Sequence, residues 1–147
     1  MEINKALIAL AALLGALAHA GIDRIVLAGA SGESLADRVE WAALAQVFGS
    51  VPRQVSVGSV KSYMGHAEGA STLAQAIKLI LEFQQEMRLP VSPRAGIMDD
   101  MRHASGSLVL AQSQTEWPKR PLPRRALVNA YGMGGAYGSL VVEGDEV

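Results

Sequence analysis

The sequence predicts an α/β fold, a three-layer arrangement in which a mixed sheet packs against helices and the chain closes on a glycine-rich hairpin. Three observations predict it. Short apolar runs bounded by turn residues alternate with longer segments of helical periodicity. Half of the 147 residues are apolar and the mean hydropathy is +0.21, enough to bury one sizeable core. The last third of the chain turns to strand-like runs on either side of a glycine cluster. One domain over residues 1–147 is the expected organisation.

The elements follow in order. MEINK and ALIALAALLGALAHA open the chain. Ile3, Leu7, Leu10, Leu14 and Leu17 recur at helical spacing and predict a buried helix. The same apolar run, ending in the small-x-small Ala18-His19-Ala20, resembles a secretory signal peptide, which would make the chain an exported binding or structural protein. Glu2 offsets Lys5 in the region that should be basic, and the run is short of the roughly 20 unbroken apolar residues of a membrane span. The helix, and with it a cytoplasmic protein, is the preferred reading.

Gly21 stops that helix, and Ile25-Val26-Leu27-Ala28 reads as a buried strand. Gly29 to Ser34 is a turn. Leu35, Val39, Ala42, Ala43 and Val47 set a helix that ends at Phe48-Gly49, with Asp37 and Glu40 in the half where they complement the helix dipole. Val55 to Val60 is the next strand. From His66 to about Met87 small and apolar residues occupy most sides of a long helix, which places it centrally. Residues 88–106, with Pro90, Pro93, Gly96 and Gly106, read as an extended surface connection. Ser107 to Ala111 is a short strand, Trp117-Pro118 to Pro123 a connection, and Arg125 to Ala130 pairs with Ser139 to Glu143 as a hairpin.

Composition narrows the chemistry. The net charge is −1, from 13 basic and 14 acidic residues without long runs of either sign, so neither nucleic acid nor an anionic membrane is expected as a partner. There is no cysteine, which excludes disulfides, thiolate metal sites and a thiol nucleophile on this chain. Few aromatics with many Ala and Gly favour a buried surface shared with another chain.

The glycines of YGMGGAYG, residues 131–138, do not make a nucleotide site, because a phosphate fingerprint needs a helix after it and a strand-like run follows here. Gly132, Gly134 and Gly135 instead let the backbone approach a ligand or partner, with Met133 as a mobile, space-filling side chain. In SVKSYMGHAEGAS, residues 59–71, His66 is either a structural histidine or a neutral imidazole at a helix N-terminus that donates a hydrogen bond to a carbonyl oxygen. Lys61 either tunes that site or pairs with a carboxylate; the spacing leaves both open. His19 and His103 have no second histidine at metal-ligand spacing. No metal and no cofactor are expected.

Taken together, VGSVKSYMGHAEGAS, RLPVSP, LVLAQSQTEWP and LVNAYGMGGAYGSLVVEG resemble, in order, segments of the C-terminal half of a β-ketoacyl-acyl-carrier-protein synthase, the thiolase-like condensing enzyme of fatty-acid and polyketide synthesis. The resemblance implies one thiolase-like lobe. In that family a cysteine of the first half attacks an acyl thioester, and two histidines of the second half assist decarboxylation of malonyl carrier protein and stabilise the oxyanion.

By the same resemblance His66 stands at the second of those histidines, with Lys61 before it. Gly29 stands where the first imidazole belongs, Met133 where the family has an aromatic gate, and the nucleophilic half is absent from this sequence. Groups that act as a unit lose nearly all activity when several are missing. The resemblance therefore implies a subunit inactive alone, similar to a shortened chain-length factor and paired with a ketosynthase or with a separate N-terminal-half protein. Acyl carrier protein is a further partner. The alternative is the second half of a split synthase, in which His66 remains catalytic.

Overall fold

The computed structural model describes residues 21–26, 34–92, 96–119, 121, 123–131 and 136–144. The expected N-terminal helix with its signal-like ending, the turn holding Gly29, and Gly132 to Gly135 lie outside the described residues. In chain order the elements are β1 (Arg24–Val26), α1 (Ser34–Phe48), β2 (Val55–Gly58), α2 (Lys61–Met64), a 3-10 turn (Glu68–Ala70), α3 (Ser71–Gln84), β3 (Met87–Arg88), α4 (Asp99–Arg102), β4 (Leu108–Leu110), β5 (Thr115–Glu116), β6 (Arg124–Tyr131) and β7 (Tyr137–Gly144).

Five strands form one mixed sheet in the order β4-β2-β1-β6-β7. β1 runs parallel to β2 and β6, and β2 parallel to β4. β7 returns antiparallel on β6 from Arg124↔Gly144 to Tyr131↔Tyr137, which is the hairpin expected at the C-terminus. β3 and β5 pair separately as a short antiparallel ribbon.

Alternation along the strands assigns the two faces, since successive side chains point to opposite sides. Ile25, Val55, Val57, Leu108, Leu110 and Leu127 pack with Trp41, Leu44 and Phe48 of α1. Ala126 and Val128 point the other way and meet Leu79 and Phe83 of α3 together with Trp117. The sheet thus lies between α1 and α3, the three layers the sequence predicts. Trp117 is fully buried, its ring centroid 4.7 Å from that of Phe83. The connection around Trp117-Pro118 is consequently anchored at its first residue.

Two expectations are corrected. Residues 88–106 are more than a surface connection: Val91, Ser92 and Met101 are buried, and α4 forms a turn of helix within the stretch. The long helix expected from His66 to Met87 is shorter, Ser71–Gln84. Glu68 at φ 48° and Glu86 at φ 53° bracket it, and a left-handed residue does not continue a right-handed helix.

The helix α3 carries its polar residues inward. Gln75, Lys78 and Glu82 are buried against the sheet, while Leu73, Ile77, Ile80 and Leu81 are exposed. The inward residues meet Arg24 of β1. Glu82 accepts from Arg24 Nε at 3.1 Å and Nη2 at 2.8 Å, from the Leu89 backbone N–H at 3.0 Å, and from Lys78 Nζ. Arg24 also donates to Ser56 Oγ and to the Leu89 carbonyl, each at 2.7 Å. Burial, reinforced by Arg24, holds the Lys78 ammonium below the usual lysine range against the opposing pull of Glu82.

Candidate active site

The segment from Ser59 to Ser71 leaves the C-terminal end of β2, where parallel α/β sheets place their ligands. It enters α3 through two turns. Polar side chains fix the first. Gln75 of α3 accepts the Val60 N–H at 2.8 Å and donates to Ser59 Oγ at 3.1 Å, and Ser59 Oγ also accepts the Lys61 N–H at 3.2 Å. Ser62 Oγ donates to the Ser59 carbonyl and accepts the Ser92 N–H, at 2.9 and 2.8 Å. The Tyr63 hydroxyl donates to the Pro90 carbonyl at 2.9 Å. α2 is therefore clamped on three sides before the chain reaches His66.

Gly65 makes the second turn. Its φ of 78° with ψ −172° lies in a region essentially reserved for residues without a Cβ. The chain then passes through the 3-10 turn and brings residue 66 back over residue 71. His66 Nδ1 lies 3.1 Å from Ser71 Oγ, which also accepts the Ala67 N–H at 3.0 Å. His66 is exposed, and Ser71 is buried.

Lys61 and His66, five residues apart on this segment, occupy different surroundings. Lys61 is buried, and desolvation lowers its ammonium from the ordinary lysine value, with the carboxylates of Glu40 and Asp37 on α1 pulling the other way. Its charge faces α1. The histidine sits ahead of α3, separated from its first residue by the 3-10 turn, so the helix does not begin at His66 as expected.

His103 is exposed in the loop after α4, beside the Asp99–Arg102 ion pair. His19 and the Gly132, Met133, Gly134 and Gly135 turn lie outside the described residues. Sequence reasoning missed Ser59, Ser71 and Gln75, the side chains that fix the segment. The signal for Gln75 was present, because Gln75, Lys78 and Glu82 form a polar stripe at helical spacing in an otherwise apolar helix.

An exposed imidazole held through one nitrogen can donate a hydrogen bond to an oxygen that gains charge. Lys61 adds a buried basic group on the same segment, and the sequence holds no thiol nucleophile.

Known proteins resemble this chain in family and in fold. The family model for the β-ketoacyl synthase C-terminal domain matches residues 4–93. The spectinabilin polyketide synthase system protein NorB of Streptomyces orinoci is 34% identical over 139 residues, covering 90% of this chain and 6% of that protein. Polyketide synthase PksR of Bacillus subtilis is 29% identical over 124 residues, 78% of this chain and 5% of that protein.

Among solved structures, the oxazolomycin ketosynthase domain OzmH KS7 of Streptomyces albus superposes with a TM-score of 0.77 at 28% identity, covering 95% of this chain and 27% of that one. The ketosynthase from module 6 of the bacillaene synthase of Bacillus subtilis 168 gives 0.82 at 22% identity, over 96% and 28%, a likeness of fold. This chain spans only about a quarter of those ketosynthases. Its mixed sheet between helices is one lobe of the thiolase-like fold, and the chain belongs to the β-ketoacyl synthase C-terminal domain family.

Proposed function

We propose that this chain is a ketosynthase-like component of polyketide or fatty-acid synthesis that forms no carbon–carbon bond alone and works when a ketosynthase partner supplies the cysteine. The observation that carries the reading is the outward face of α3. Leu73, Ile77, Ile80 and Leu81 are each about half exposed or more, on a helix whose two charged residues both point inward. A contiguous apolar patch of this kind marks an interaction surface. The names of the relatives, polyketide synthases, support the pathway, and acyl carrier protein is the natural donor of the malonyl unit. The reaction is assigned to the cytoplasm.

Two versions of the partnership differ in the role of His66. In a chain-length-factor-like subunit the lobe shapes the acyl tunnel of a complete ketosynthase, with Gly132, Met133, Gly134 and Gly135 at its gate, and His66 only organises the turn. In a split synthase His66 takes part. The exposure of His66 and its anchorage through Nδ1 favour the second.

In that version the partner's thiolate first takes the acyl group from its thioester. The malonyl unit then loses carbon dioxide, and the electron pair of the broken bond moves into the thioester enolate. His66 donates to the enolate oxygen, the enolate carbon attacks the enzyme-bound acyl carbon, and the tetrahedral oxyanion collapses to expel the thiolate. Lys61 acts on this site only through its field.

The test is malonyl-carrier-protein decarboxylation by the chain alone, by the chain with a separately expressed first half of a ketosynthase, and by the same pair carrying His66→Ala. The chain alone is expected to be inert and the pair active. Loss of one oxyanion donor should then lower the rate about 10²–10³-fold. Robust turnover by the chain alone would overturn the proposal, and a rate indifferent to His66→Ala would return His66 to the chain-length-factor version.

A further inference from the structure

We propose that Ser71 is the positioning residue of His66: its hydroxyl donates to Nδ1, so that the neutral ring carries its proton on Nε2 and presents that N–H at the exposed side. The inference rests on the reading of His66 as a hydrogen-bond donor to an acyl or enolate oxygen, and names the residue that makes it one.

Ser71 Oγ lies 3.0 Å from the Ala67 nitrogen and 3.1 Å from His66 Nδ1. A backbone N–H can only donate, so Ala67 occupies one lone pair of the hydroxyl. One proton remains to be placed between Oγ and Nδ1. Were it the ring's, Oγ would accept twice and the serine's own hydrogen would need a third partner. Ser71 is only 4% exposed, and among the described residues the partners of its Oγ are the Ala67 N–H, which can only donate, and His66 Nδ1. A buried O–H without an acceptor is costly.

With the proton on Oγ every group is used. Ala67 donates to Oγ, Oγ donates to Nδ1, and the second ring nitrogen is left protonated and facing outward. The backbone makes this contact possible. Residues 66 and 71 are five apart, a spacing that a continuous α-helix does not bring face to face; Gly65 at φ 78° and the 3-10 turn over Glu68–Ala70 bring them together.

The experiment is ¹⁵N NMR of the His66 ring in the full chain at alkaline pH, where an imidazole is neutral, with the urea-denatured chain as reference. The folded protein is expected to show an Nε2–H to Nδ1–H ratio roughly fivefold above the denatured chain, equivalent to about 1 kcal/mol at RT ≈ 0.59 kcal/mol. In Ser71→Ala the ratio should return to the denatured value, and in Ser71→Thr, which keeps the hydroxyl, it should recover. A merely structural serine would not move this readout in that order.

A folded wild-type ratio equal to that of the denatured chain, or one favouring Nδ1–H, overturns the assignment without any variant. A Ser71→Ala protein that folds and keeps the wild-type ratio overturns it as well. The expected tautomer together with a reconstituted pair indifferent to His66→Ala would uphold Ser71 and remove only the catalytic reading of His66.

Discussion

The Arg24 guanidinium occupies the space above Gly58: a Cβ built on Gly58 would sit 2.5 Å from Nη2 and 2.9 Å from Cζ. The guanidinium has nowhere to withdraw, because Glu82, Ser56 and the Leu89 carbonyl hold it by four hydrogen bonds. Glycine at the end of β2 and arginine at the start of β1 are therefore one requirement. Gly58→Ala should cost about 1–3 kcal/mol, the range for overpacking a filled core. Urea unfolding measures it, and a loss below about 0.5 kcal/mol would show that the guanidinium can move.

Glu82 is the anion that makes this network tolerable. It faces Arg24 and Lys78 at once, on side chains that are nearly or wholly buried. Removing it leaves two cations in a low-dielectric layer, so Glu82→Ala should cost about 3–5 kcal/mol. Replacing Arg24, Lys78 and Glu82 together by Met, Met and Leu should recover most of that loss, since buried ion clusters add little over apolar packing. Equal instability of the single and triple variants would contradict this account.

The same network explains what the sequence displayed and what it concealed. The β6–β7 hairpin and α1 were legible because both rest on local pattern, alternation in one and a 3.6-residue stripe in the other. Lys61 and His66 were legible as chemistry-bearing residues of one segment. The orientation of α3 was not, although its polar and apolar stripes stand in the sequence. Which stripe faces the sheet is decided by Arg24, a charged residue just outside the apolar run that marks its strand. The start of α3 was misplaced because helical periodicity continues through AEGAS, whereas the backbone there follows Gly65 and the left-handed Glu68. Ser71 acquires its role only through that departure from the helix.

Lys61 gives a pH dependence whose sign follows from its burial. Its ammonium loses protons at lower pH in the folded chain than in the unfolded one. Between those two values the unfolded state binds more protons, so stability rises with pH. The cost of burying the charge is fully present below the folded value and disappears as pH climbs toward the ordinary lysine value of 10.5. Lys61→Met removes this contribution. The stability of wild type relative to Lys61→Met should therefore increase from pH 7 toward alkaline pH in urea titrations, and a flat or falling difference would mean that Glu40 and Asp37 outweigh desolvation.

The exposed face of α3 yields the most direct test of partnership. Ile77 lies in the middle of the stripe formed by Leu73, Ile77, Ile80 and Leu81, with about half of its surface open. In the isolated chain a carboxylate there is solvated, so Ile77→Glu should change stability by no more than about 0.5 kcal/mol. In a complex the same carboxylate would be buried without a counter-charge, at a cost of several kcal/mol. Association with a ketosynthase partner, followed by sedimentation or copurification, should then fall by at least about 100-fold while the circular dichroism and urea midpoint of the free chain hold. Undiminished association would place the interface elsewhere. Loss of the free chain's own fold would instead show that the stripe is covered within this polypeptide, and Gln84→Glu, at the edge of the same face, should separate the two by weakening association alone.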